Sequence, residues 1–164
     1  KTIILLYLES LEQAYYENNE LFNDVMPNLN KITQDYLTFS NIDQVAGTTF
    51  TMAGMVSSQC GIPLLDANNP DSFAENYQGV WSGFLSGATC LGDLFNSMGY
   101  TNYYVGGASL TFAGKGDFYT SHGFNKPNIF GRDEFDQEAL HEGKGRLEQS
   151  VWGQYDEAVF EKIL

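Results

Sequence analysis

Basic residues are scarce: eight Lys and Arg stand against twenty-one Asp and Glu, for a formal charge of -13. A surface this acidic argues against nucleic acid as a partner. It also repels small anions at large, so an anionic substrate needs a local cation wherever it binds. Cysteine is nearly absent. Cys60 and Cys90 are the two present, readable as buried thiols or as one disulfide. No Cys/His spacing of a zinc site occurs, and the two histidines are His122 and His141. No apolar run approaches the roughly 20 residues of a membrane span. No signal-peptide pattern is found, because the sequence opens directly on a strand-like segment; a leader or anchor of an exported protein is expected to lie outside it. Repeats and low-complexity segments are also missing. What remains is a chain of 164 residues with 43% hydrophobic and 15% aromatic content, enough for one domain with a real core.

One stretch organises the reading: Gly47-Thr48-Thr49-Phe50-Thr51-Met52-Ala53-Gly54-Met55. A glycine and three threonines open a predicted helix of small and apolar residues that runs to about Gln59. Gly47 and Thr48 supply the turn and an expected N-cap. The first turn of a helix carries free N–H groups and partial positive charge, which suit an anion. A threonine hydroxyl there can become a nucleophile once a metal lowers its pKa. On local sequence alone, a capped helix packed in a core is the simpler reading.

Around this stretch the chain alternates strand and helix. Thr2 to Leu8 (TIILLYL) is a continuous apolar run, the mark of a strand buried on both faces of a parallel sheet. It ends in Glu9, and strand carboxyl ends form the ligand crevice of such folds. Residues 11–25, with Tyr15 and Tyr16, read as loop with one helical turn. Pro27 suits the first turn of a helix, whose buried face is expected to carry Leu29, Ile32 and Tyr36. Leu37 to Ile42 alternates as a second strand. Residues 65–87 are an irregular Asn/Asp/Gly/Ser-rich excursion anchored by Trp81. Cys90 to Met98 is a helix stopped by Gly99, Tyr100 to Val105 a third strand, and Asp117 to Ser121 a short helix. Ile129 to Gly145 reads as polar loop, with His141 solvated in it and His122 packing a turn. Asp156 to Leu164 is a helix with Val159, Phe160 and Ile163 as its apolar stripe. The order fits an α/β fold with a largely parallel sheet.

Several segments, in order, resemble the sulfatase-like branch of the alkaline phosphatase superfamily. Met26-Pro27-Asn28-Leu29-Asn30-Lys31-Ile32 with Leu37-Thr38-Phe39-Ser40-Asn41-Ile42 is similar to its "TPNLDRLAxEGxxFTN" block. Leu91-Gly92-Asp93-Leu94-Phe95-Asn96-Ser97-Met98-Gly99-Tyr100-Thr101 is similar to its "LAEvLkxxGYxT" block. Tyr7-Leu8-Glu9-Ser10, the run Ala53 to Leu64, and Phe112-Ala113-Gly114-Lys115 resemble the bacterial phosphoglycerol transferases within that branch. The resemblance implies an alkaline-phosphatase-like α/β/α sandwich with a mainly parallel sheet, of which residues 1–164 are the N-terminal portion of one catalytic domain.

The resemblance also implies a site. Such enzymes hold one divalent metal, most often Mn2+ with Mg2+ or Zn2+ as alternatives, through a Glu, a Thr, an Asp and a His. Glu9 matches the Glu, and Thr48 matches the Thr that is both ligand and nucleophile. Thr51 then offers a first-turn hydroxyl near the phosphate, and registers that make Thr51 or Thr49 the nucleophile stay open. Glu9 and Thr48 are expected to converge at one edge of the sheet. No Cys stands at the nucleophile, which disfavours a sulfatase, and no Asp-His pair follows, so the chain alone is expected to be inactive. Lys115 occupies the place of a substrate-phosphate contact, with Ser109 in the same loop facing glycerol hydroxyls. The implied reaction moves phosphoglycerol from a phospholipid head group to a hydroxyl acceptor, a periplasmic glucan, on the outer side of the bacterial inner membrane, with membrane anchorage through a segment absent here. Phosphoethanolamine transfer is the enzymatic rival, and a non-catalytic α/β binding domain the rival of another class. An exported enzyme favours a Cys60–Cys90 bridge, of the kind that contributes about 3–4 kcal/mol.

Overall fold

The computed structural model describes residues 1–15, 20–23, 25–39, 41–64 and 83–164. These form two compact units, Lys1–Gln44 and Val45–Leu164. Tyr16, Ser40, Trp81 and most of the Asn/Asp-rich excursion lie outside the described residues.

In the first unit, Pro27 occupies the first turn of helix α1 (Pro27–Asp35), where a missing N–H leaves no bond unmade. The Thr33 hydroxyl donates to the Asn30 carbonyl at 2.7 Å, and that of Thr38 to the Thr33 carbonyl at 2.6 Å, closing the helix end. Gln13–Tyr15 makes a single 3-10 turn, and Tyr15 meets Phe22 edge-on at 5.0 Å. Three expectations fail here. Thr2 to Leu8 forms no strand, and Ile3 through Leu8 expose 49–71% of their surface. Leu37 to Ile42 shows no strand among its described residues, α1 buries none of its residues, Ile32 included, and Tyr36 just beyond it is exposed. An apolar run becomes a buried strand only with a pairing edge and cover on both faces. Among the described residues of this unit no strand pairs with either run.

The second unit holds the core. Helix α2 (Thr51–Cys60) is apolar along most of its length, and Met52, Ala53 and Val56 are fully buried. Gly61, left-handed at φ 68°, ends it, a conformation that glycine adopts without strain. Helix α3 (Leu91–Ser97) follows, then strand β1 (Tyr104–Val105), helix α4 (Lys115–Ser121) and strand β2 (Ile129–Phe130). β1 and β2 pair in parallel, Tyr104 opposite Ile129 and Val105 opposite Phe130. The Gly106 N–H extends the ladder to the Phe130 carbonyl at 3.0 Å. The third expected strand therefore exists but contracts to two residues. Helix α5 (Arg132–His141), the antiparallel pair β3 (Gln149–Ser150) and β4 (Gly153–Gln154), and helix α6 (Asp156–Ile163) complete the unit.

Residues 129–145 are not a loop. Ile129 is buried by pairing with β1, a contact 25 residues away in sequence that no local pattern reports. α5 carries few apolar residues, yet it buries Phe135 and Ala139, four apart on one face. The Glu134 carboxylate accepts the Gly131 N–H at 3.0 Å and holds the first turn, as a capping-box acid does. His141 is the last residue of this helix rather than part of a loop.

The core gathers Met52, Val56, Phe84, Ala113, Phe118, Tyr119 and Ile129. Tyr104 stacks on Tyr119 at 4.3 Å. A disulfide joins Cys60, the last residue of α2, to Cys90, just before α3. Beside it the backbone of α3 lies close to the turn after α4. Asn102 Nδ2 donates to the Gly92 carbonyl at 2.7 Å and to the Gly123 carbonyl at 2.8 Å, clamping the two. A Cβ on Gly92 would run into the His122 carbonyl and the Phe124 ring. Gly92→Ala is therefore expected to lower stability by about 1–3 kcal/mol, despite alanine's better helix propensity; an unchanged denaturation midpoint would contradict the close approach.

Candidate functional site

Thr48 lies ahead of α2 rather than capping it. The N-cap position belongs to Phe50, with extended backbone and no side-chain cap bond, so the helix begins two residues later than the sequence suggests. The reason lies in the turn: Gly47 takes φ 81°, and the Thr48 N–H and hydroxyl both turn back to the Val45 carbonyl, at 3.2 and 2.6 Å. Thr48 is thereby buried and its hydroxyl has a fixed direction. Thr51 is the first residue of α2 and half-buried, while Thr49 is exposed.

Glu9 belongs to the first unit, exposed, in a turn where Ser10 takes φ 62°. A left-handed non-glycine residue costs about 1–2 kcal/mol, and such residues cluster at working sites. The same feature marks the loop carrying Lys115. Ala113 is left-handed at φ 57° and buried in the core against α2. Lys115 opens α4 and is only 7% exposed, with its ammonium 5.0 Å from the centre of the Phe112 ring. Lys115 is thus a buried lysine beside an aromatic face, not a solvated one.

Ser109 is buried as well. Its hydroxyl donates to Asp133 Oδ2 at 2.8 Å and lies 3.0 Å from the Thr111 hydroxyl. Asp133 Oδ1 takes a further bond from Arg132 Nε at 3.2 Å. The Ser109 hydrogen bond is the chief cause that holds the Asp133 carboxyl below its ordinary value of 3.8; burial opposes it, and the Arg132 guanidinium adds to the lowering. A depressed carboxylate stabilises the fold above its unfolded-state value, and this contribution disappears as pH falls through the lower folded value. Ser109→Ala is expected to move the Asp133 pKa back up, read by carboxyl-carbon NMR titration. An unmoved titration would show that the hydroxyl does not hold the carboxylate.

One grouping escaped the sequence altogether. His122 is 2% exposed, and one of its ring nitrogens and the two cysteine sulphurs lie within 4.8 Å of one another. Nδ1 is 3.1 Å from Asp93 Oδ2 and Nε2 is 2.9 Å from the Phe84 carbonyl oxygen. His122 does pack a turn, as its context suggests, but it does so inside the core. No spacing rule finds this group, since its members stand 30 and 32 residues apart.

The two oxygen donors expected for a divalent ion fall in different units, the Glu9 carboxylate in Lys1–Gln44 and the Thr48 hydroxyl in Val45–Leu164. Such hard oxygen donors suit Mn2+ or Mg2+. Among the described residues no helix is long and apolar enough to cross a membrane.

A sulfatase family model matches residues 1–164. Phosphoglycerol transferase I from Escherichia coli strain SMS-3-5 is 40% identical over 160 residues, and the protein of that name from strain O6:K15:H31 is 39% identical over the same length. Each alignment covers 98% of this chain and 19% of the relative, so the chain spans about a fifth of those proteins. No solved structure gives a significant match. With the whole of its length matched, the chain belongs to the sulfatase family, with that family's alkaline-phosphatase-like α/β character.

Proposed function

We propose that this chain is part of a metal-dependent phosphoglycerol transferase with Thr48 as its nucleophile. The observation that carries the reading is the 40% identity to phosphoglycerol transferase I across 98% of the chain. Two features of the chain support it: a buried threonine with a fixed hydroxyl just before a helix without a side-chain cap, and a buried lysine on the loop packed against that helix.

In this reading the Thr48 oxygen bonds to phosphorus while the diacylglycerol oxygen leaves and takes up a proton. An acceptor hydroxyl, on a periplasmic glucan, then bonds to phosphorus and the Thr48 oxygen leaves. Thr48 must give up the hydroxyl proton that now points to Val45. Glu9 and Thr48 would each offer an oxygen donor to the ion, Mn2+ by preference. A bound divalent ion lowers the hydroxyl's pKa and offsets charge on the phosphate oxygens. The amides of the first turn of α2, with Thr51, receive the phosphate. Lys115 adds a point charge, and Ser109 with Thr111 orients the loop that carries it. The remaining ligands, the lipid contact and the membrane anchor belong to the rest of the longer protein, which faces the periplasm.

The direct test is release of diacylglycerol from phosphatidylglycerol by that longer protein with manganese present. Absence of both release and metal binding would end the proposal. Lys115→Met keeps the alkyl stem on Phe112 and removes the charge. It is expected to weaken transition-state binding by about 2–4 kcal/mol, a fall in kcat/KM at unchanged metal affinity; wild-type turnover would leave Lys115 a structural residue.

A further inference from the structure

We propose that the buried group of Cys60, Cys90, His122 and Asp93 becomes a zinc site when the disulfide is reduced. The inference does not depend on the transferase reading, since it uses none of the same residues. The three sulphur and nitrogen ligand atoms already lie within 4.8 Å of one another. A tetrahedral ion with Zn–S near 2.3 Å separates two sulphurs by roughly 3.8 Å, so parting the bridged sulphurs to hold an ion is a small movement. Cys90 and His122 are almost wholly buried and Cys60 partly so, which protects an ion once bound.

The surroundings suit a metal-bound imidazole. A carbonyl oxygen only accepts, so His122 Nε2 carries a proton for Phe84 at 2.9 Å. Metal-ligating histidines commonly donate their second nitrogen to a backbone carbonyl in this way, which fixes tautomer and ring orientation. That leaves Nδ1 to the ion. Asp93, 3.1 Å from Nδ1, also accepts the Cys90 N–H at 2.9 Å, so its carboxylate stands beside two of the three ligands. Turning one oxygen to the ion completes a set of two thiolates, one imidazole and one carboxylate. These side chains come from α2, α3 and the end of α4. The ion therefore ties together α2 and α3, as the disulfide does, and adds the end of α4 through His122.

The chemistry balances. A dithiol gives two electrons and two protons and is itself oxidised to a disulfide. The Cys60–Cys90 bond breaks and each sulphur takes one hydrogen. Zinc then replaces both thiol protons, which leave to solvent with any proton on Nδ1.

The test uses this chain, reduced by a dithiol, freed of it under nitrogen and titrated with Co2+ as a spectroscopic substitute for Zn2+. The expected result is one Co2+ per chain, with thiolate-to-cobalt charge transfer in the near ultraviolet and the visible bands of a tetrahedral ion. Zn2+ should displace it. The oxidised chain should show neither band. His122→Ala should weaken binding tenfold or more, and Cys60→Ser should about halve the charge-transfer intensity. Should the reduced chain lose its fold, zinc should restore the helical circular dichroism. Absence of thiolate–cobalt absorption in the reduced, folded chain overturns the proposal. So does failure of zinc to refold an unfolded one, or a His122→Ala protein that binds cobalt with unchanged affinity and spectrum.

Discussion

Thr48→Ala, made in the longer protein that carries this chain, is expected to cut phosphoglycerol transfer by on the order of 10^4-fold or more, the scale on which removal of a nucleophile acts. The loss should be chemical rather than structural. Alanine leaves the backbone before α2 unchanged and gives up the hydrogen bond from Thr48 Oγ1 to the Val45 carbonyl at 2.6 Å, a bond of about 1 kcal/mol. Circular dichroism and the unfolding midpoint should therefore move little while turnover vanishes. Thr51→Val is the paired experiment. It keeps the branched shape at the head of the helix and removes only a hydroxyl, so a fall of roughly 10- to 100-fold is expected if Thr51 touches the phosphate without attacking it. If Thr51→Val proves the dead enzyme and Thr48→Ala the impaired one, the nucleophile is Thr51 and the register moves by three residues.

The largest effect on stability is expected at Phe118. Its ring is 1% exposed and lies 5.0 Å from the His122 ring and 5.3 Å from Tyr119. Phe118→Ala removes a ring from the centre of the second unit, where α2, the Ala113 loop and β2 meet. The expected loss is about 3–5 kcal/mol. A urea midpoint that falls with unchanged slope would report it. A loss below about 1 kcal/mol would mean that the neighbours collapse into the space, and that the core is looser than its burial indicates.

The helices were more legible than the sheet, for a physical reason. α1, α3, α4 and α6 carry their own punctuation: Pro27 at a first turn, Gly99 at φ 84° after α3, acidic residues at the starts of α4 and α6. Strands owe their existence to partners. Thr2 to Leu8 has the composition of a central strand, yet composition does not supply a neighbour. Ile129 and Phe130 look like nothing in particular and pair with β1. The candidate site divides in the same way. Glu9, Thr48 and Lys115 could be picked out because a family resemblance gave each a position. That Lys115 is buried, that Ser109 is bound to Asp133, and that His122 sits against the cysteines are products of tertiary packing. Even the error at the start of α2 is of this kind, because a threonine before a helix looks like a cap until its hydroxyl is seen facing the preceding turn.

The Cys60–Cys90 bridge closes residues 60 to 90 into a covalent ring. Any single cut inside that ring changes the number of chain ends without releasing a piece. A protease acting between Gly61 and Thr89 would leave α2 and α3 joined through sulphur, with one band on a gel run without reductant and two on a gel run with it. The same ring is a natural place to open the chain for new termini. An insertion or an excision there spares the bond that fixes the distal end of the threonine-headed helix, and so separates the length of the intervening sequence from the position of Thr48.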